Sequence, residues 1–431
     1  MITTAFINIW NKRVGAVAWE PETELSYFEY DTDFLKNNWD LAPLRMSIYE
    51  AEGKIFSFPE LRGVGSFKEL PGLLADILPD KYGNALINTW LTRQGRPTDS
   101  LNPIEMLCFI GTRGMGALEI EPAQPKTSDN ASKIELGSLV EIADGILSGR
   151  KNFNTNLSAN EEKALLDILK IGTSAGGARA KALIAYNPKN GEIRSGQANA
   201  PKGFNHWLIK FDGVTDKQFG ASNGYGRVEM AYYLMAVDAG IEMTECKLLE
   251  ENSRTHFMTK RFDREPDMDK IHVQSFFAMQ HYDFNEVEYY SYEQLFETMR
   301  LLGLPYPQAE QLYRRMIFNV MSRNCDDHTK NFAFIMDKTG KWKLSPAYDI
   351  CHAYRPDSEW VSQHALSINN KRKNITKSDL LEVASQMNIK KSESIIQQIA
   401  EIIRNWGNYA DSVDVDQKLK TAIGKTLIII E

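Results

Sequence analysis

The stretch SRNCDDHTKNFAFI, residues 322–335, sets a carboxylate, Asp326, five positions before a side-chain amide, Asn331. That separation is how phosphoryl-transfer loops place a catalytic base relative to a magnesium ligand. The chemistry needs a carboxylate to orient the attacking hydroxyl and accept its proton, and hard oxygen ligands to hold Mg2+ on the phosphates. A further acid follows in WKLSPAYDI, residues 342–350. The apolar runs FAFI and WKLSP, joined by turn residues around Lys338 to Gly340, read as a strand pair that brings Asp349 back beside the loop. Asp326, Asp327 and Asn331 would be ordinary as turn and capping residues, but the returning strand and third acid separate this pattern from a bare D-x-x-x-x-N.

Two other segments carry groups suited to phosphate. In IGTSAGGARAKALIAY, Gly172, Gly176 and Gly177 precede a strand, where bare backbone N–H groups can approach an anion. This stretch fits neither G-x-x-x-x-G-K-[ST] nor G-x-G-x-x-G, and a plain flexible turn explains it equally well. Lys210 in HWLIKFDG is a strand lysine between apolar neighbours, placed either to meet α- and β-phosphates or to face water from a sheet edge. Glu229 begins the next helix, as a partner for Lys210 or as a first-turn carboxylate favoured by the helix dipole. Lys371, Arg372 and Lys373 form a basic cluster, which reads as solvated surface or as a phosphate contact.

The elements that must position these groups follow from periodicity. Apolar clusters Ala5–Trp10 and Val14–Trp19, split by Asn11, Lys12 and Arg13, suit a β-hairpin. The segment SFKELPGLLADILPDKYGNALINTWL is broken by Pro71, Gly72 and Pro79 into helical turns and loops. EPAQPKTSDNASK, residues 121–133, has linker composition. ELGSLVEIADGIL and EEKALLDILKI read as helices, and KALIAYNPKNGEIRSG as two strands about a turn. A helix from Arg227 to Ala239 closes at Gly240. Leu312, Tyr313, Met316, Ile317, Val320 and Met321 repeat with helical period and run directly into the SRNCDDHTKN loop. After Thr376, Ile395, Ile399, Ile403 and Trp406 make one apolar stripe.

Composition narrows the setting. With 431 residues, 43% hydrophobic and 25% charged, the chain is globular and divides into two or three units. A net charge of −7 argues against coating nucleic acid through overall charge. Cys108, Cys246, Cys325 and Cys351 lack the spacing of a zinc site or disulfide framework. No secretory leader or membrane span is read, so the cytoplasm is the expected compartment.

Together, SFKELPGLLADILPDKYG, IGTRGMGALE, TSAGGARAK, KRFDR, N-x-D-D-H-x-K-N and LSPAYDI reach across nearly the whole chain. In these motifs it resembles the HipA kinases of bacterial toxin–antitoxin systems. The resemblance implies an α+β, bilobal fold related to protein and phosphoinositide kinases, with an added N-terminal subdomain. The expected divisions are 1–125 for that subdomain, 134–262 for the N-lobe and 263–431 for a mostly helical C-lobe. It further implies transfer of the γ-phosphate of ATP, with Mg2+, to serine or threonine of a protein, such as an aminoacyl-tRNA synthetase or another translation factor.

Position by position, Asp326 is then the catalytic residue, and Asn331 and Asp349 bind metal. Gly172, Ser174, Gly176, Gly177, Lys181, Lys210, Lys260, Phe262, His328 and Lys330 are the ATP-binding candidates, His328 being open between nucleotide contact and ordering the loop. Ser174, seven residues before Lys181, matches an autophosphorylated serine of the family, with Thr173 as the adjacent alternative. Where many members carry glutamate before Arg-Phe-Asp-Arg, this chain has Lys260, so adenine recognition there falls to backbone groups. The implied partner is a HipB-like helix-turn-helix antitoxin, with DNA reached only through or beside it by Lys371, Arg372 and Lys373. The alternative reading is a catalytically weak corepressor acting with that antitoxin.

Overall fold

Alternation of apolar residues builds the first sheet. In β1 (Thr4–Ile9), Ala5, Ile7 and Ile9 are buried while Thr4 and Phe6 face outward. It turns through Trp10 and Asn11, both at positive φ (46° and 63°), into β2 (Lys12–Glu20), giving the expected hairpin. With β3 (Leu25–Tyr30), β4 (Ile55–Phe56) and β5 (Leu118–Glu121) the order is β4-β3-β2-β1-β5. Gly15 is required in β2, because a Cβ there would lie 2.2 Å from the Glu29 carbonyl oxygen of the next strand.

The computed structural model describes residues 2–123, 132–148, 159–173, 179–196, 200–216, 220–221, 223–265 and 269–431. They form two compact units, one of residues 1–40, 46–226 and 245–272, the other of 41–45, 227–244 and 273–431. Among the described residues no helix is long and apolar enough to cross a membrane.

The first unit also holds a second antiparallel sheet. Its strands are β6 (Lys181–Tyr186), β7 (Ile193–Ser195) and β8 (Asn205–Lys210), then, after a short ribbon of β9 (Thr215–Asp216) and β10 (Gly220–Ala221), β11 (Cys246–Glu251) and β12 (Arg254–Lys260). The order is β11-β12-β8-β6-β7. The β11–β12 hairpin was not expected from sequence; its turn is Asn252-Ser253, both at positive φ. The segment broken by prolines forms a short helix, Gly72–Ala75, and a longer one, Lys81–Arg93.

The KRFDR motif ties this unit together. Asp263, fully buried, accepts a forked pair of bonds from Arg261 (2.8 and 2.6 Å), one from Arg264 (2.7 Å) and one from the Gly116 N–H (2.7 Å). Arg264 also donates to the Gly116 carbonyl, and Lys270 to Glu119 and the Thr112 carbonyl. Burial alone would raise the Asp263 pKa, but the two guanidiniums hold it well below the usual carboxylate range. KRFDR and GTRGMG are thus halves of one polar lock.

In the second unit the helix Tyr306–Ser322 runs through the core, burying the six residues whose period marked it. Each fully buried Leu, Ile or Met contributes about 1.5–3 kcal/mol. Helices Tyr292–Leu301 and Ser392–Arg404 pack against it. Ile395, Ile399 and Ile403 make the expected stripe, but Trp406 belongs to a separate helix, Trp406–Ser412, because the chain bends at Asn405. A small sheet, β13 (His272–Ser275), β14 (Ala333–Met336) and β15 (Trp342–Leu344), lies in that order. The β14–β15 hairpin turns at Gly340, as the runs FAFI and WKLSP imply.

Removing one member of a buried charge cluster strands the others. Asp263→Ala should therefore cost the chain about 3–5 kcal/mol in urea unfolding, leaving Arg261 and Arg264 buried without their counter-charge. A loss below about 1 kcal/mol, the size of an exposed pair, would refute the lock.

Candidate active site

The helix Tyr306–Ser322 stops because Arg323 takes the left-handed conformation (φ 58°, ψ 38°) as its cap. The chain then runs extended, with the Cys325 N–H bonded to the Ala353 carbonyl and the Ala353 N–H to that of Arg323. Asp326 follows with its side chain 49% exposed. His328 Nε2 lies 3.8 Å from an Asp326 carboxylate oxygen, and His328 Nδ1 accepts the Lys330 N–H, capping the short 3-10 turn Thr329–Asn331. Asn331 donates through Nδ2 to the Asp326 backbone carbonyl at 2.6 Å, so any cation contact of its amide must use Oδ1.

Asp349 arrives from the other side. It sits at φ 54°, a conformation that Asp and Asn tolerate better than most residues. Two contacts steady its segment: the Tyr348 hydroxyl donates to the Lys330 carbonyl at 2.8 Å, and the buried Arg315 donates to the Ser345 carbonyl at 2.7 Å. Asn331 and Asp349 line one small cavity of about 10 Å³, with Arg315, Asn319, Asn324 and Asp327. Two oxygen donors lining one cavity suit Mg2+, which takes few protein ligands and completes its shell with water and phosphate oxygens.

Asp327, beside the half-exposed Asp326, is fully buried. Its Oδ2 accepts the Tyr292 hydroxyl (2.8 Å) and His364 Nδ1 (2.9 Å), and its Oδ1 accepts the Ala365 N–H (2.8 Å). Tyr292 in turn accepts Asn319 Nδ2, and Asn319 accepts Asn324 Nδ2, each at 3.0 Å. Burial alone would lower the His364 pKa, yet the Asp327 carboxylate more than reverses this, raising it to about 10. Lys330 lies over the rings of Phe277 and Phe284, and His328 packs against Phe284, so both line an aromatic shelf.

The glycine-rich candidates in the first unit fare differently. Ser174, Gly176 and Gly177 lie outside the described residues. Gly172 is buried at the end of the helix Ala159–Gly172, where a Cβ would come 2.9 Å from Leu86, so packing accounts for it. Thr173 is also buried, its hydroxyl bonded to the Leu169 carbonyl, which takes it out of reach of a phosphoryl donor in this conformation. Lys181 and Lys210 stand directly opposite each other on β6 and β8. Lys260 ends β12 with its N–H already bonded to the Glu245 carbonyl, so it is not available to donate to a base; Phe262 is half-buried beyond it. Glu229 is buried, which removes the reading as a solvated first-turn carboxylate.

The basic cluster, with Lys371 exposed and Arg372 half-buried, is partly tied into the fold by its own hydrogen bonds. Lys371 pairs with Asp379 (2.8 Å), the residue that closes the cap of the helix Lys377–Gln386. Arg372 donates to the carbonyls of Ala365 and Tyr290, and its own carbonyl accepts the His364 N–H. Lys373 is exposed.

Two family models match the chain, the HipA N-terminal domain over residues 5–121 and the HipA-like C-terminal domain over 173–406, the second alone covering more than half of it. The chain belongs to the HipA family. A Sinorhizobium fredii protein named "Putative kinase Y4mE" is 22% identical over 316 residues, which is 68% of this chain and 67% of that protein. Among solved structures, the Shewanella oneidensis toxin–antitoxin complex of HipA, HipB and operator DNA contains a chain matching at a TM-score of 0.66 and 16% identity, over 98% of this chain and 94% of that one. The α+β fold is thereby that of HipA proteins. The Helicobacter pylori proinflammatory kinase CtkA aligns over 58% of this chain and 94% of its own at 14% identity, but its TM-score of 0.33 is too low to bear argument.

Within the HipA-like domain, the residue that motif reading missed is His364. Its one sequence signal is a lone histidine opening the run HALSI, whose Ala365, Leu366 and Ile368 are buried.

Because the His364 pKa is raised on folding, its pair with Asp327 stabilises the chain fully below the unfolded value of 6.5 and progressively less as pH rises toward 10. Urea midpoints of wild type should therefore fall between pH 6.5 and 10 relative to those of His364→Asn. A difference that stays constant over that range would show the imidazole to be uncharged.

Proposed function

We propose that this HipA-family chain is an ATP-dependent kinase that phosphorylates serine or threonine of a protein target, with Asp326 as catalytic base and Asn331 and Asp349 as metal ligands. The observation that carries this reading is that Asn331 and Asp349 line the same cavity, with Asn331 also tied to the backbone of Asp326. Asp326 keeps a half-exposed carboxylate able to orient a substrate hydroxyl and take its proton. Asn331 and Asp349 would hold Mg2+, which would supply neutralisation of the phosphate charge. The paired lysines support a phosphate role too. Residues paired across adjacent strands put their side chains on the same face of the sheet, where two lysines can converge on one anion. Lys181 and Lys210 are accordingly assigned to ATP phosphates, and Ser174 is assigned as the autophosphorylation site.

The name of the Sinorhizobium relative supports kinase chemistry, and the Shewanella complex supports an antitoxin partner bound to DNA. We assign the chain to the cytoplasm as the toxin of such a module, acting on a translation-related protein. Within an antitoxin–DNA complex, Lys371 and Lys373 are the exposed members of the basic cluster and the ones assigned to reach phosphates. The divisions 1–125, 134–262 and 263–431 are proposed as subdomain, N-lobe and C-lobe.

Positioning and charge neutralisation supply most phosphoryl-transfer catalysis, so Asp326→Ala, Asn331→Ala and Asp349→Asn should each lower transfer from γ-labelled ATP by roughly a hundredfold or more. Asparagine is chosen at 349 because alanine would add backbone strain at positive φ. Mass spectrometry should find phosphate on Ser174 of wild type and none on Asp326→Ala. Near-normal transfer by folded Asp326→Ala overturns the assignment.

A further inference from the structure

The half-exposed Asp326 side chain is flanked in sequence by two buried residues, Cys325 and Asp327, and one imidazole touches both. His364 Nδ1 donates to Asp327 Oδ2 at 2.9 Å, and His364 Nε2 lies 3.9 Å from Cys325 Sγ. The ring is itself 2% exposed and comes from a loop 37 residues further along the chain. That loop is closed by Arg372, whose carbonyl accepts the His364 N–H and whose guanidinium reaches Ala365 and Tyr290. Tyr292, through its hydroxyl, supplies a second donor to the same Asp327 oxygen.

We propose that His364 is a positioning residue that sets the carboxylate of Asp326 by clamping the residues on either side of it. This inference rests on the reading of Asp326 as catalytic base. A reaction that depends on orienting a hydroxyl against a carboxylate is sensitive to its placement, and a shift of about 1 Å can cost roughly a hundredfold in rate. The clamp acts on Asp326 through backbone, so its loss affects turnover more than nucleotide binding. The charge that His364 carries strengthens the bond to Asp327, since charge-assisted hydrogen bonds are stronger than neutral ones.

The test uses the full chain and compares phosphoryl transfer from ATP by wild type, Asp326→Ala, His364→Leu, His364→Asn and Tyr292→Phe. Asparagine places an amide N–H near the position of Nδ1, whereas leucine keeps bulk and removes the donor. His364→Leu is expected to lose about ten- to a hundredfold in kcat with its KM for ATP changed less than about threefold, and His364→Asn to recover most of that loss. Tyr292→Phe, which withdraws one of the donors to Asp327 without changing ring shape, should lose kcat about three- to tenfold at unchanged KM. A merely structural role would lower the melting temperature of these variants and leave kcat of the folded enzyme alone. If Asp326→Ala is inactive while His364→Leu and Tyr292→Phe both turn over like wild type, the positioning role is wrong and the kinase reading stands. If asparagine performs no better than leucine, the bond to Asp327 is not what matters and the inference fails. Should His364→Leu not fold, the Tyr292→Phe kcat decides alone. If wild type transfers no more phosphate than Asp326→Ala, the reading of the site fails and this inference with it.

Discussion

A carboxylate removed from water must find its solvation inside the protein, and in this chain that requirement organises the catalytic loop. Asp327 has no exposed side-chain surface, and its three donors come from two elements: Tyr292 on one helix, and the His364 side chain and Ala365 backbone on a distant loop. Leaving such a group unpaired costs several kcal/mol, so the loop, the helix Tyr292–Leu301 and the segment 364–372 are compelled to meet. The same demand passes outward to Asn319 and Asn324, which complete the hydrogen bonding of Tyr292.

Around that fixed point the backbone makes two unusual turns. Arg323, entering the loop, and Asp349, opposite it, both lie in the left-handed region. Such residues cost roughly 1–2 kcal/mol and persist where surrounding contacts over-determine them. Here the contacts are visible: the Ala353 pairing on one side, and Tyr348 and Arg315 on the other. The exposed acid and its partners are carried by rigid elements, as a site that works by positioning requires.

Much of this was legible in the sequence because it is local. The five-residue step from Asp326 to Asn331 spans one turn, and the short β14–β15 hairpin fixes where Asp349 returns, so spacing alone brings these groups near each other. The core helix announced itself through its period. His364 could not be read this way, since its pairing closes a gap of 37 residues and a single histidine has no periodicity. The ties of Lys371 to Asp379 and of Arg372 to the carbonyls of Ala365 and Tyr290 escaped for the same reason, being set by tertiary contact. The β11–β12 hairpin escaped because Asn252-Ser253 lacks the glycine that usually marks such a turn. Gly172 was read for its freedom when it matters for its lack of bulk.

The polar lock at Asp263 bears on how such a chain can be divided and inherited. The stretches matched by separate family models, 5–121 and 173–406, look like independent modules, yet Asp263 takes an N–H from Gly116 and Arg264 gives hydrogen bonds back to that same short stretch. A shortened gene encoding only the second stretch would leave the buried carboxylate of Asp263, the Arg264 guanidinium and the Lys270 ammonium short of partners. A swap of the first stretch between relatives must preserve the tight approach of residues 112–119 to Arg264 and Lys270. Recombination at the boundary between the modules is thus constrained by a contact that neither module contains alone.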